Sequence, residues 1–124
     1  MPPREGRNKV GNRERLEHML GAATEATSFV AGRAEGDLTL DAMLRRAVKD
    51  RVQEIGEAAA RVSDQGRARS PDLPWSKMVG MRHILVHAYF DLDLEAVWKV
   101  VTQDLPVPVR ALQAALDSWG DDRA

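Results

Sequence analysis

The chain has 124 residues, the length of one ordinary domain, and is long enough to bury a core without covalent staples. It contains no cysteine, which excludes disulfides and thiolate metal sites, and its formal net charge of −1 excludes a polycation drawn indiscriminately to nucleic acid. The polar start lacks the apolar stretch of a secretory signal, and no window approaches the ~20 apolar residues of a membrane span, so a soluble, cytoplasmic protein is expected.

Residues 1–11 carry proline, glycine and basic charge (Arg4, Arg7, Lys9) without periodicity, which predicts a disordered basic tail. A helical pattern starts at Asn12: Leu16, Met19, Leu20, Ala23, Thr27 and Val30 recur at three- and four-residue steps, and residues 32–36, bounded by glycines, break it. Thr39 is placed to cap a second helix with Asp41 in its first turn. The apolar face of that helix is expected to run through Leu40, Met43, Leu44, Ala47, Val48, Val52, Ile55, Ala59 and Val62. Gly56 sits inside it at a cost of roughly 1 kcal/mol relative to alanine, a cost usually tolerated where a neighbouring helix comes close. Arg45, Arg46, Lys49 and Arg51 cluster on the same helix, and solvated faces account for such a cluster more simply than a nucleic-acid footprint does.

Residues 65–73 read as a polar loop. Pro74 suits the first position of a third helix over 75–90, because an amide there has no intrahelical partner to lose. Asp93 is a cap for a fourth helix carrying Leu94, Val97, Trp98 and Val101. Pro106 and Pro108 end or kink it, and a last segment continues with Val109, Leu112, Leu116 and Trp119 before a polar tail at 121–124. Nothing alternates with a period of two. The fold expected is all-α, an antiparallel four-helix bundle over 12–120 with an extra C-terminal helical segment.

The chemistry concentrates on the third helix. Arg82, His83, His87 and Tyr89 fall within eight residues of an otherwise apolar stretch. At about 100° per residue, His83 and His87 lie on nearly one side, while Arg82 and His87 differ by about 140° and flank a strip. Such groups suit phosphodiester cleavage without a metal. An imidazole exchanges protons near neutral pH, and a guanidinium offers a fork of donors to phosphate oxygens as charge builds on them. A ribose 2′-hydroxyl would then be the nucleophile. Each residue also has a plainer reading: a surface histidine, an arginine paired with an acid, a tyrosine packed with its hydroxyl in water.

A zinc site is disfavoured. His83 and His87 are four apart, but Ile84 stands where the zinc-protease pattern needs Glu, and a third ligand would have to come from His18, Glu54 or Glu57. Glycine-rich nucleotide loops and a nucleophile elbow are absent, so no metal and no cofactor is expected.

Residues 82–89, Arg-His-Ile-Leu-Val-His-Ala-Tyr, fit the pattern Arg, four to six residues, His, any residue, Tyr, and resemble HEPN ribonucleases. The flanks resemble the HepT branch: Leu73, Pro74 and Trp75 precede the motif, Gly80 and Met81 abut it, and the segment from Phe90 to Trp98 follows it. Ile55, Gly56, Glu57 and Ala58 match a second signature, and Leu105 and Pro106 a late turn. The resemblance extends over about residues 13–119. It implies a HEPN-like bundle forming a two-fold homodimer with the motifs facing a shared cleft, and a toxin acting as a metal-independent endoribonuclease on RNA. Arg82 would hold the scissile phosphate, His87 would transfer the proton, and His83, where the family has a polar residue, would orient the site or share the acid–base work. Tyr89 matches a tyrosine that receives AMP from a minimal nucleotidyltransferase antitoxin. The alternative reading is a non-catalytic helical binding subunit of a nucleotidyltransferase complex.

Overall fold

The computed structural model describes residues 11–88 and 93–119, with the backbone alone for 84–88. Of the expected tails at 1–11 and 121–124, only Gly11 is among the described residues, extended just before the first helix. The described residues form α-helices and one π-helical segment, with no strand: α1 Asn12–Val30, α2 Asp37–Leu40, α3 Ala42–Ala60, α4 Asp64–Arg69, α5 Trp75–Ala88, α6 Leu94–Lys99, the π segment Val100–Asp104, and α7 Pro106–Trp119. The molecule is an all-α helical bundle of the HEPN kind. α1 lies between α3 and α7, and α5 packs on the far side of α3.

Side-chain bonds fix the directions. Asn12 at the start of α1 exchanges hydrogen bonds with Ser63 just beyond α3, donating to its Oγ at 2.9 Å and accepting from its amide at 3.1 Å. Further along, Arg51 pairs with Glu25 at 3.2 Å, so α1 and α3 run antiparallel. Arg13 donates to the Leu116 carbonyl at 3.0 Å, setting the start of α1 beside the end of α7. The core they enclose includes Leu16, Met19, Val48, Ile55, Met78, Met81, Leu105 and Leu112, all essentially without solvent contact.

Several boundaries differ from the sequence expectation, each for a local reason. Thr39 caps nothing. It lies within the single turn of α2, and the cap of α3 is Asp41, whose extended backbone lets its carboxylate accept from the Leu44 amide at 3.0 Å. Leu40 and Met43, placed on the buried face in sequence, stand at this α2–α3 elbow and are 85% and 83% exposed. The polar loop at 65–73 is partly helical. Ser63 accepts from the Gly66 amide at 3.1 Å and starts α4, and Gly66 fits because a Cβ there would lie 2.6 Å from the Asn12 side-chain nitrogen. The helix after Pro74 begins at Trp75 as expected and is described as far as Ala88. Asp93 caps α6 as expected, accepting from the Ala96 amide at 3.1 Å. The fourth helix ends before the prolines as expected, with a bend at Leu105, but not as a regular helix. It widens into the π segment, and Pro106 then opens α7.

α3 and α5 approach closely. A Cβ on Gly56 would fall 2.6 Å from the Arg82 backbone nitrogen and 2.8 Å from its Cβ. Nothing bulkier than a hydrogen fits, which is the close approach that the mid-helix glycine implied. A second tie anchors the start of α5. Trp75 Nε1 donates to the Ser70 carbonyl at 2.9 Å and Trp119 Nε1 to the Ser70 hydroxyl at 3.0 Å, joining α4, α5 and α7 at one residue.

Two outcomes follow. The Leu44 amide, with the Arg33 guanidinium 3.5 Å away, holds the Asp41 carboxyl below the usual carboxylate range. Its contribution is therefore complete above that range and fades as pH falls through the lowered value. Thermal melts of wild type and Asp41→Ala are expected to differ at neutral pH and to converge in strong acid; a gap independent of pH contradicts the assignment. Gly56→Ala gains up to ~1 kcal/mol of helix propensity but overpacks a backbone contact at a cost of ~1–3 kcal/mol, so denaturant unfolding is expected to show a net loss.

Candidate functional site

Arg82, His83 and the backbone of His87 lie on α5, a helix whose one side is sealed by Met78 and Met81. Arg82 follows Met81 and is half-buried at the crossing with α3, its backbone against Gly56. The absence of a side chain on Gly56 lets α5 sit deep enough to draw the root of Arg82 into the interface. The Arg82 Nε is buried without a hydrogen-bond partner, and among the described residues no carboxylate lies within ion-pairing distance of the guanidinium. Arg15 and Arg67 share with Arg82 a buried Nε without a hydrogen-bond partner, while several arginines are engaged through their terminal nitrogens. Arg33 and Arg51 pair with acids, Arg45 donates to the Leu38 and Thr39 carbonyls, and Arg67 donates to the Ala59 carbonyl. An unneutralised guanidinium fixed at its base between two helices is suited to bind an anion from outside the chain.

His83, the next residue, is exposed and turned about 100° away from Arg82 around the helix. His87 lies on the backbone of α5, five residues and about 7.5 Å beyond Arg82 along the axis, at about 140° around it. Its side chain and all of Tyr89 lie outside the described residues. The structure thus locates Arg82 and His83 fully, His87 by its backbone, and brings no two of these side chains into contact among the described residues. His18, considered as a metal ligand, is exposed on α1; Glu54 pairs with Arg51 at 3.3 Å, and Glu57 accepts from Gln53 at 3.3 Å. Among the described residues no three His, Asp or Glu side chains come close enough to hold a metal ion.

The support at the start of α5 was not readily legible in the sequence. Arg67 lies over the Trp75 ring, 5.7 Å from its centroid, and Arg69 over Trp119 at 4.3 Å, adding cation–π contact to the Ser70 tie. Asp104, on the π segment, receives Lys77 of α5 at 3.3 Å and Lys99 at 3.7 Å, and its side chain is only 13% exposed. The signal for the first was the spacing of Arg67, Ser70 and Trp75 around a short polar stretch. The second depends on a π turn, which leaves no pattern in sequence.

No helix among the described residues is long and apolar enough to cross a membrane. The sequence profile of the family described as "Ribonuclease HepT-like" matches residues 19–115, most of the chain and both helices of the α3–α5 crossing. The chain is 34% identical over 91 residues to the protein named "Putative RNase MJ1380" of Methanocaldococcus jannaschii, a match spanning 73% of this chain and 84% of that protein. It is 31% identical over 98 residues to one named "Probable ribonuclease HepT" of Thermococcus cleftensis, spanning 79% and 89%. A third relative, "Putative RNase TTE0752" of Caldanaerobacter subterraneus, is 30% identical over 91 residues, spanning 73% and 81%. No solved structure matches at comparable stringency. On the family profile and these relatives together, the chain belongs to the HepT-like ribonuclease family.

Proposed function

We propose that the protein is a metal-independent endoribonuclease and the toxin of a toxin–antitoxin pair, with Arg82, His87 and His83 as its catalytic residues. The observation that carries this reading is Arg82, rooted at the α3–α5 crossing with no carboxylate among the described residues within ion-pairing distance of its guanidinium. The family membership and the ribonuclease names of the relatives support it.

In the proposed reaction the ribose 2′-oxygen attacks the adjacent phosphorus and the bond from phosphorus to the 5′-oxygen breaks. The products are a 2′,3′-cyclic phosphate and a 5′-hydroxyl. One proton leaves the 2′-hydroxyl and one must reach the departing oxygen; His87 carries one of these transfers, and His83, exposed beside Arg82, assists or orients. Arg82 donates to the non-bridging oxygens, where negative charge rises as the fifth bond forms. DNA lacks the nucleophile and is not a substrate.

Two copies of the chain would pair so that their motifs face one cleft, in which Arg82 and His87 approach the same phosphate although they stand well apart around one helix. A minimal nucleotidyltransferase partner would restrain the toxin by adding AMP to the Tyr89 phenol. That adduct sets a phosphate beside Arg82 and His87, where it competes with RNA for the same guanidinium.

Purified protein incubated with structured RNA in EDTA is expected to give fragments ending in cyclic or 3′-phosphate. Arg82→Ala and His87→Ala should each lower the rate by about 10²–10⁴-fold with helical content unchanged, and His83→Ala by less. Uncut RNA under all conditions would instead favour a binding subunit of a nucleotidyltransferase complex. After co-expression with such a partner, mass spectrometry is expected to find AMP on Tyr89, and Tyr89→Phe to escape restraint. A Tyr89→Phe protein that stays fully restrained points to masking by binding.

A further inference from the structure

The basic cluster on α3 does not act as a unit. Arg45 turns back onto the end of α2, donating to the Leu38 carbonyl at 2.8 Å and the Thr39 carbonyl at 3.1 Å. Arg51 faces α1, paired with Glu25. Arg46 and Lys49 lie on a different side, and Gly56 gives the reference for it. With about 100° per residue, Gln53, Lys49 and Arg46 fall within about 80° of Gly56 in one rotational sense. The core residues Val48, Val52, Ile55 and Ala59 fall within about 100° in the other. Gly56 itself faces α5. Gln53, Lys49 and Arg46 therefore line the solvent-side rim of the α3–α5 contact, and their burial agrees: the first two are half-buried and Arg46 is exposed.

α5 is divided in the same way. From Arg82, the buried Met78 and Met81 lie within about 100° in one sense, while His83 and the backbone position of His87 lie at about 100° and 140° in the other. The two helices run antiparallel at this contact. Gly56 meets Arg82, while Ala59, one turn on, accepts a hydrogen bond from the Arg67 that lies over Trp75 at the start of α5. In antiparallel neighbours the two solvent-side senses meet, so the α3 rim and the histidine side of α5 border one outer groove. Distances along its axis follow from the helical rise. From the Gly56–Arg82 crossing, His87 lies about 7.5 Å along, Lys49 about 10 Å and Arg46 about 15 Å, all in the same direction.

We propose that this groove is the path of the RNA strand, with Lys49 and Arg46 binding backbone phosphates next to the one held by Arg82. The proposal rests on the ribonuclease reading for the identity of that central phosphate. Its support is the coincidence of three basic residues from two helices along one groove that also passes the histidine positions, in a chain whose overall charge is slightly negative. Among the described residues Arg46 has no carboxylate within ion-pairing distance. Asp50 and Glu57 stand further round α3, at about 100–120° from Gly56, where they would repel a strand that strayed out of the groove. Contacts of this kind set affinity and register along the strand without reading its bases.

The test uses the full chain and a labelled oligouridylate about a dozen nucleotides long, with binding measured across a range of salt. For single strands the slope of log affinity against log salt changes by about 0.7 per phosphate contact, so Arg46→Gln/Lys49→Gln is expected to flatten it by about 1.4. Arg110→Gln, an exposed charge on α7, should leave the slope unchanged. In cleavage assays the double variant should raise KM for the oligonucleotide, keep kcat, and cleave a dinucleotide at the wild-type rate. A double variant with the wild-type slope and KM overturns the proposal, as does one no different from Arg110→Gln. If wild type binds the strand without cutting it and the double variant still flattens the slope, the groove assignment stands and the ribonuclease reading falls.

Discussion

Everything in the candidate site depends on one steric fact: α3 carries no side chain at residue 56. With hydrogen there, the α5 backbone approaches until the Arg82 nitrogen lies only 2.6 Å from where a Cβ would stand. The base of Arg82 is held by backbone packing, and among the described residues no acid pairs with its guanidinium. An arginine oriented by an acid arrives at a phosphate already half neutralised, whereas one oriented by packing keeps its full charge for the ligand. The cost is a glycine inside a 19-residue helix and a buried Nε without a partner.

The remainder of the fold reads as support for that crossing. Val52, Ile55 and Ala59 seal α3 against the core on one side of Gly56, and Met78 and Met81 do the same for α5. The start of α5 is tied by Trp75 and Trp119 to Ser70 and by Lys77 to Asp104. The helix that bears the motif is thus fixed at its first turn and at Arg82. The π segment contributes by offering Asp104 to lysines from two helices, an arrangement that a regular helix at that point would rotate away.

Much of this was legible in the sequence, and the parts that were not share a cause. The long helices announced themselves because Leu16, Met19 and Val30 on α1, or Val48, Val52 and Ile55 on α3, keep the helical period over many turns. Gly56 was legible as a close approach because its propensity cost demands a reason, although nothing in the sequence says that Arg82 is what approaches. The misplaced features are short. The single turn of α2 took Thr39 and moved the cap to Asp41, leaving Leu40 and Met43 in solvent, and the six residues of α4 were hidden in a stretch rich in polar residues. One or two turns carry too few apolar positions to set a period, and tertiary contacts decide them, as Asn12 does at Gly66. The site residues were legible as a chemical set and by family resemblance. Their separation around the helix was legible too, and it is this separation that calls for a groove or a second subunit to bring Arg82 and His87 to one phosphate.

A crystal structure with an RNA made uncleavable by a 2′-O-methyl group at the scissile position tests the central claim most directly. The Arg82 guanidinium is expected on the non-bridging oxygens of the scissile phosphate, with the His87 imidazole within hydrogen-bond reach of the 2′- or 5′-oxygen, from the same or the paired subunit. RNA bound elsewhere, or Arg82 and His87 in separate surroundings with no cleft joining them even across a dimer, would contradict it.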